Sequence, residues 1–272
     1  MTPTTARARF TDLLAAEWIK LWSLRSTGWS LLAGALAVLG INVGTAYDHY
    51  KYWDQYDESS RAAFLRNDIG LVDAFTANSG MVLVLVLGAI GAVAVTGEYG
   101  SGLIRTTLAA VPARRSVMAA KALVVTAVTA VFGTALALVS FLLTQVVLDG
   151  RDAGLTLGHP GALRLVLASG LLAPVAALVG MALGAVARHS AASVVAATGL
   201  LLMVPLFLSE DRYLTAVLRH AQPFTAWQRL ADFGRFGEVA HPWTTGGAWL
   251  VYLVWALGAA ALAVTVVHRR DQ

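Results

Sequence analysis

The residues able to do chemistry in this 272-residue chain are few, and most sit at the edges of long apolar runs. Six histidines (His49, His159, His189, His220, His241 and His268) are scattered, and no two have metal-ligand spacing. Cysteine is absent, so neither a disulfide framework nor a thiolate metal site can form. There is no HExxH zinc motif and no GxSxG nucleophile elbow. A phosphate-cradling GxxxxGK[ST] loop needs a Gly-Lys pair, but the three lysines follow Ile19, Tyr50 and Ala120. The glycine cluster at 97–102 follows an apolar run and does not have GxGxxG spacing. What remains is a set of charged residues in the tails and loops beside the apolar runs.

The elements that must position these charges are membrane helices. Hydrophobic residues make up 57% of the chain and charged residues only 13%, against about 25% in soluble domains. Mean hydropathy is +0.67. This balance argues against a soluble enzyme, a nucleic-acid binder and a disordered tail. Six runs free of Asp, Glu, Lys, Arg and His are long enough to cross a bilayer, which takes about 20 helical residues. They are 26–47, 74–97, 122–148, 165–187, 190–209 and 242–267, together 142 residues. The expected fold is therefore an all-α integral membrane protein of six transmembrane helices, a single domain over 1–272.

The spans hold only mild polar residues: Asn42, Asn78, Ser79, Ser140, Thr144, Gln145, Ser193 and Thr198. They either bond backbone and neighbouring helices or line a weakly polar path, for which Asn78, Ser79, Ser193 and Thr198 are the candidates. The missing carboxylates count against coupling to protons or sodium. Pro174 and Pro205 are expected to kink spans four and five. Segments 40–44 and 180–184 match GxxxG, a pattern for close helix packing.

Charge sets the expected orientation. The N-tail, the 98–121 loop, Arg188–His189 and the C-tail carry 11 Lys/Arg and four acids. Stretches 48–73, 149–164 and 210–241 carry nine Lys/Arg and twelve acids. The positive-inside rule places both termini in the cytoplasm, in a plasma-membrane protein. The pI near 9.6 follows from that side's basic residues and is not a nucleic-acid footprint. A cleavable signal peptide is not expected, because 25 residues precede a 22-residue apolar run. Arg outnumbers Lys 17 to 3, a hint of a GC-rich bacterial genome.

In the N-tail, Phe10, Leu13, Leu14, Trp18, Leu21, Trp22 and Leu24 fall on one broad helical face. This predicts an interfacial helix over 1–25, either a surface anchor or a partner contact as well. Glu17 lies at the edge of that face, where a carboxylate wants a partner. In the 98–121 loop, Ser101 is a plausible N-cap and Pro112 a stop. Leu103, Ile104, Thr107, Leu108 and Val111 make one stripe, with Arg105, Thr106 and Ala109 off it. The expectation is a short amphipathic surface helix with Glu98 and Arg105 projecting. It is either tucked under the bundle or a docking element. Arg114, Arg115 and Lys121 are expected to anchor span three against headgroups.

The segment Glu98-Tyr99, then Gly102-Leu103-Ile104-Arg105-Thr106-Thr107-Leu108-Ala109-Ala110-Val111-Pro112, with Arg114, Arg115 and Lys121, resembles the coupling-helix region of ABC-2 type permeases. These are the membrane subunits of ATP-binding-cassette exporters. The stretch Glu17-Trp18-Ile19-Lys20-Leu21-Trp22-Ser23-Leu24-Arg25-Ser26 is similar to that family's elbow helix, with Glu17, Trp18 and Lys20 at its centre. Ala113, between Pro112 and Arg114, departs from the pattern.

The resemblance implies a separate cytoplasmic ATP-binding subunit that holds ATP and Mg and pushes on this loop. Glu98, Tyr99, Gly102, Ile104, Arg105, Thr106, Thr107, Pro112, Arg114 and Arg115 would form the interface. It also implies a dimer, with a second copy or a sister permease, and no cofactor on this chain. The 210–241 stretch would be an external re-entrant hairpin roofing the pathway, with a helix starting at Ser209, Glu210 and Asp211. Its stripes are Leu214, Val217, Leu218 and Ala221, then Phe224, Trp227, Leu230 and Phe233 after Pro223. An ordinary surface loop with an aromatic belt is the other reading. The competing functions are a stand-alone secondary transporter or channel, a membrane enzyme, and an assembly or sensor protein. The substrate is not legible.

Overall fold

The structure, a computed structural model, describes residues 9–231 and 241–270. All regular elements among them are helical. α1 (Phe10–Ser23) turns sharply at Leu24 into α2 (Arg25–Tyr52). α3 (Glu58–Arg66) and α4 (Ile69–Asp73) precede α5 (Ala77–Gly100). A short α6 (Leu103–Ala110) leads to α7 (Arg114–Asp149). α8 (Ala162–Ala187) is followed by α9 (Ser190–Thr198), which continues as a π turn (Gly199–Met203) and a 3-10 turn (Val204–Phe207). α10 (Tyr213–His220), α11 (Pro223–Ala231) and α12 (Thr245–Arg270) complete the chain.

Six of these helices are long and apolar enough to cross a membrane, and they coincide with the six charge-free runs. The helices overrun those bounds. α7 has 36 residues, or about 54 Å at 1.5 Å per residue, so residues 114–121 are helix and not loop.

α8 is the axis of the bundle. Its most apolar stretch is 89% inside the protein, packed against α5, α7, α9, α11 and α12. Small residues make this possible. A Cβ on Gly180 would lie 1.9 Å from the Gly88 carbonyl oxygen, and one on Gly91 would lie 1.8 Å from that of Ala177. The 180–184 GxxxG match is thus a real packing seam. The 40–44 match is not: Cβ atoms on Gly40 and Gly44 would meet nothing within 4 Å.

Pro174 does not interrupt α8, which runs unbroken to Ala187. Around Pro205 the expected distortion is present, as the π turn and the 3-10 turn. Proline has no N–H to donate, and a shifted pattern absorbs the loss.

At the end away from α6, residues 53–73 are more than a loop. Trp53, Phe64, Leu148 and Ala153 form a small second core with Ala46. Asp57 caps α3, accepting from the Ser60 backbone N–H at 2.8 Å. His49 Nδ1 and Asp73 Oδ2 lie 2.6 Å apart, and Arg151 pairs with Asp54 at 2.9 Å.

Two short helices do occupy the 210–241 stretch. The first starts at Tyr213, not at Ser209 to Asp211, and Glu210 instead pairs with Arg219 at 3.0 Å. Its apolar stripe faces outward: Leu214, Val217 and Leu218 are exposed, while Ala216 and His220 are buried. In α11 the expected stripe holds. Phe224, Trp227 and Leu230 are buried, and the Trp227 indole donates to Ser169 Oγ at 3.0 Å. Phe233 lies outside the described residues.

Candidate functional site

At the α6 end, four charged side chains from three helices meet inside the protein. Glu17 and Lys20 lie one turn apart on α1, Glu98 is in the last turn of α5, and Lys121 is two turns into α7. The Lys121 ammonium donates to Glu17 Oε2 and, at 2.9 Å, to Glu98 Oε1. Lys20 Nζ donates to Glu17 Oε1 at 2.8 Å, lies 3.1 Å from Glu98 Oε1, and donates to Thr107 Oγ1 of α6 at 3.4 Å. The Glu17, Glu98 and Lys121 side chains are 3%, 8% and 5% exposed, so three of the four charges have lost nearly all their water.

Such burial is tolerated because two carboxylates and two ammoniums compensate one another. An unpaired charge at the same place would cost several kcal/mol. Burial of Lys20 works against its charge, but hydrogen bonding to Glu17 and the nearby Glu98 carboxylate outweigh it and raise its pKa above the ordinary lysine value.

α1 delivers Glu17 because its inward stripe is narrow. Leu13, Glu17 and Leu21 repeat every four residues and are buried. Trp18 and Trp22, expected on the same face, are instead half exposed and pack on each other with ring centroids 5.9 Å apart.

α6 is held on the same cluster. Ser101 is not its N-cap but ends α5, its hydroxyl bonded to the Gly97 carbonyl oxygen at 2.8 Å. Gly102 then takes φ 74°, the left-handed region glycine tolerates, and α6 starts at Leu103. Ile104 is buried, and Thr107, Leu108 and Val111 are partly buried. Arg105, Thr106, Ala109, Ala110 and Pro112 are exposed, and so are Leu103 and Arg115. Arg114 is partly buried. The Arg188 guanidinium stacks over the Tyr99 ring, 4.7 Å from its centroid.

Two sequence expectations need correction. Glu98 does not project from a surface helix; it is buried in α5 and bonded to Lys121. Lys121 is not a headgroup anchor but the centre of the cluster. The signal for Lys121 was present. It falls at helical spacing among Val117, Met118, Ala120, Val124 and Val125, all buried, so periodicity alone turns it inward.

The four pathway candidates do not converge. Asn78 is exposed and Thr198 partly buried. Ser79 is buried at the far end of α5, its hydroxyl donating to the Thr76 carbonyl oxygen at 2.8 Å. Ser193 is buried near the start of α9 and donates to the His189 carbonyl oxygen at 2.8 Å. Polar residues with long-range bonds include Asn42, which donates to Ser140 at 2.8 Å and accepts from the Thr76 N–H at 3.0 Å, and Gln145, which donates to the Gly70 carbonyl oxygen at 2.8 Å. Among the described residues no group of three or more His, Cys, Asp or Glu could hold a metal ion.

The sequence profile of the ABC-2 family transporter protein matches residues 13–204. That stretch runs from the inward face of α1 to the start of the 3-10 turn, and it contains the whole charge cluster. The chain belongs to the ABC-2 transporter family. No curated protein matches it. As an ABC-2 family protein with six membrane-length helices, it is the membrane permease of an ABC transporter. In this ABC-2 permease the charge cluster lies under α6, between α1 and the ends of α5 and α7.

Proposed function

We propose that this permease is the membrane subunit of an exporter in the plasma membrane, driven by a separate cytoplasmic ATP-binding subunit that docks on α6. ATP and Mg are held by that subunit. Two permease chains, identical or sister, enclose the pathway, and both termini face the cytoplasm.

The observation that supports this reading most is the contact of Lys20 with Thr107 on α6. α6 offers Arg105, Thr106 and Ala109 outward while Ile104 and Thr107 point back to the cluster. A push on the outer face moves α6 as a unit between the Gly102 swivel and Pro112. Through Lys20 the push reaches Glu17 and Glu98, and Lys121 passes it to α7. Charge pairs suit this task, because desolvated ions hold their geometry better than screened surface ions do. Arg105 supplies a guanidinium, a good donor for a carboxylate on the docking subunit. The basic excess of this side, 11 Lys/Arg against four acids, favours an acidic partner surface.

The test is reconstitution in liposomes with the ATP-binding subunit. The permease alone should neither hydrolyse ATP nor move substrate. Adding the partner should start both, and Arg105→Glu should lower stimulated ATPase activity about tenfold, the size of one charge-assisted hydrogen bond. Uptake driven by a pH or sodium gradient with no partner present would overturn the reading.

A further inference from the structure

We propose that the cavity beside the charge cluster is a binding site for an amphiphile with a primary-amine head, a class that includes amine-headed membrane lipids. The cavity holds about 190 Å³ between α1, α2, α5 and α7. Glu17, Lys20, Glu98 and Lys121 all line it. The rest of its wall is mainly aliphatic, with Leu21 and Leu24 from the elbow, Ile90 and Val93 from α5, and Val124 and Val125 from α7. Charge at one side and alkyl groups around the remainder match a ligand that is itself divided in that way.

The chemistry of the head follows from an imbalance. Two carboxylates offer about eight lone-pair sites, while two ammoniums supply six N–H donors, one of which goes to Thr107. The shortfall is visible: Glu98 Oε2 is buried and has no hydrogen-bond partner. A buried acceptor left unpaired costs about 1–3 kcal/mol, so a donor that reaches it is held. Glu98 itself lines the cavity, so a donor bound there lies beside its carboxylate. A quaternary ammonium has charge but no N–H. A primary amine supplies the N–H that Glu98 Oε2 lacks.

The placement favours a lipid as its source. The helices that wall the cavity also face the bilayer, with Trp18, Ile19 and Trp22 of α1 and Trp29 and Leu36 of α2 exposed. The cluster lies at the level of the interfacial helix α1, where lipid heads lie. The volume has room for about six waters' worth of matter, enough for the amine and a few methylenes, with the chains lying outside. No pathway residue is involved, and the site does not depend on the docking of an ATP-binding subunit.

Native mass spectrometry of the full chain from nanodiscs of mixed phosphatidylethanolamine and phosphatidylcholine tests this. The wild type should retain one phosphatidylethanolamine per chain, about tenfold enriched over phosphatidylcholine, as one charge-assisted hydrogen bond gives. Glu98→Gln should lose the enrichment. Gly97→Leu is the variant that keeps all four charges: Gly97 lines the cavity, and a Cβ there meets nothing within 4 Å. It should fill the site and abolish retention. Saturable binding of dodecylamine that Gly97→Leu removes, with no lipid enrichment, supports the same site with a soluble amine as its ligand. Equal retention of both lipids by the wild type with no such dodecylamine binding, or retention unchanged in Gly97→Leu, overturns the proposal.

Discussion

Lys121 and Glu17 are 104 residues apart in sequence and form the buried ion pair that fastens the elbow helix to α7. Glu98 shares the same ammonium, so one lysine joins three helices. Removing it leaves two buried carboxylates sharing the single ammonium of Lys20. Lys121→Met should therefore cost about 3–5 kcal/mol, the usual loss when one partner of a buried pair is taken away. The double variant Glu17→Gln, Lys121→Met should be more stable than Lys121→Met alone, because it restores the balance of charge. Thermal unfolding in detergent reads both, and strictly additive losses would sink the account.

Helix packing at α8 should be far more sensitive than its apolar content implies. Gly180→Ala places a methyl against the Gly88 backbone, which cannot rotate away, and should destabilise by at least about 1–3 kcal/mol. Gly40→Ala meets open space and should be neutral or stabilising by up to about 1 kcal/mol. The same unfolding measurement separates them, and equal effects would contradict the seam.

Acid should loosen α3 before the bundle. The Asp57 carboxylate accepts from Ser60 and Ser59, which holds its pKa below the ordinary carboxylate value. A folded pKa below the unfolded one gives stability that is present above the unfolded value and lost as pH falls through the folded value. Protection factors of the amides in residues 58–66, taken relative to the intrinsic exchange rate at each pH, should therefore fall as pH falls through that window, and Asp57→Ala should show the low protection at neutral pH. Protection that is flat with pH would refute the cap's role.

Orientation is open to a direct test. Cysteines introduced at Asp54 and at Ser101 occupy exposed sites at opposite ends of the bundle. In intact cells Asp54→Cys should react with an impermeant maleimide and Ser101→Cys should not. The reverse labelling would invert the assigned topology.

The spans were legible in the sequence because a charge-free run of 20 or more residues has few other fates. That Glu17 needed a partner was also legible, from its place beside an apolar stripe. Which partner it takes was not, since nothing local links residue 17 to 121. Glu98 misled for a related reason: next to a glycine cluster it reads as loop, whereas α5 continues two residues beyond it. The two GxxxG matches look alike in sequence, and only the neighbouring backbone separates them. For α10, periodicity found the helix but did not say which way its apolar face turns. An apolar face turned toward lipid has the same pattern as one turned toward a core.

The irregular half of the fifth span has a consequence for how the chain tolerates change in length. A π turn contains one residue more than the α turn it replaces, so Gly199–Met203 carries a spare residue within the span. Deleting one residue there should return the segment to an ordinary helix and leave Ser193 before it and Pro205 after it facing as they do now. The same deletion in α8 would rotate everything beyond it by about 100° and break the glycine seam. Span five can thus change its length by one residue, while the helix it packs against cannot.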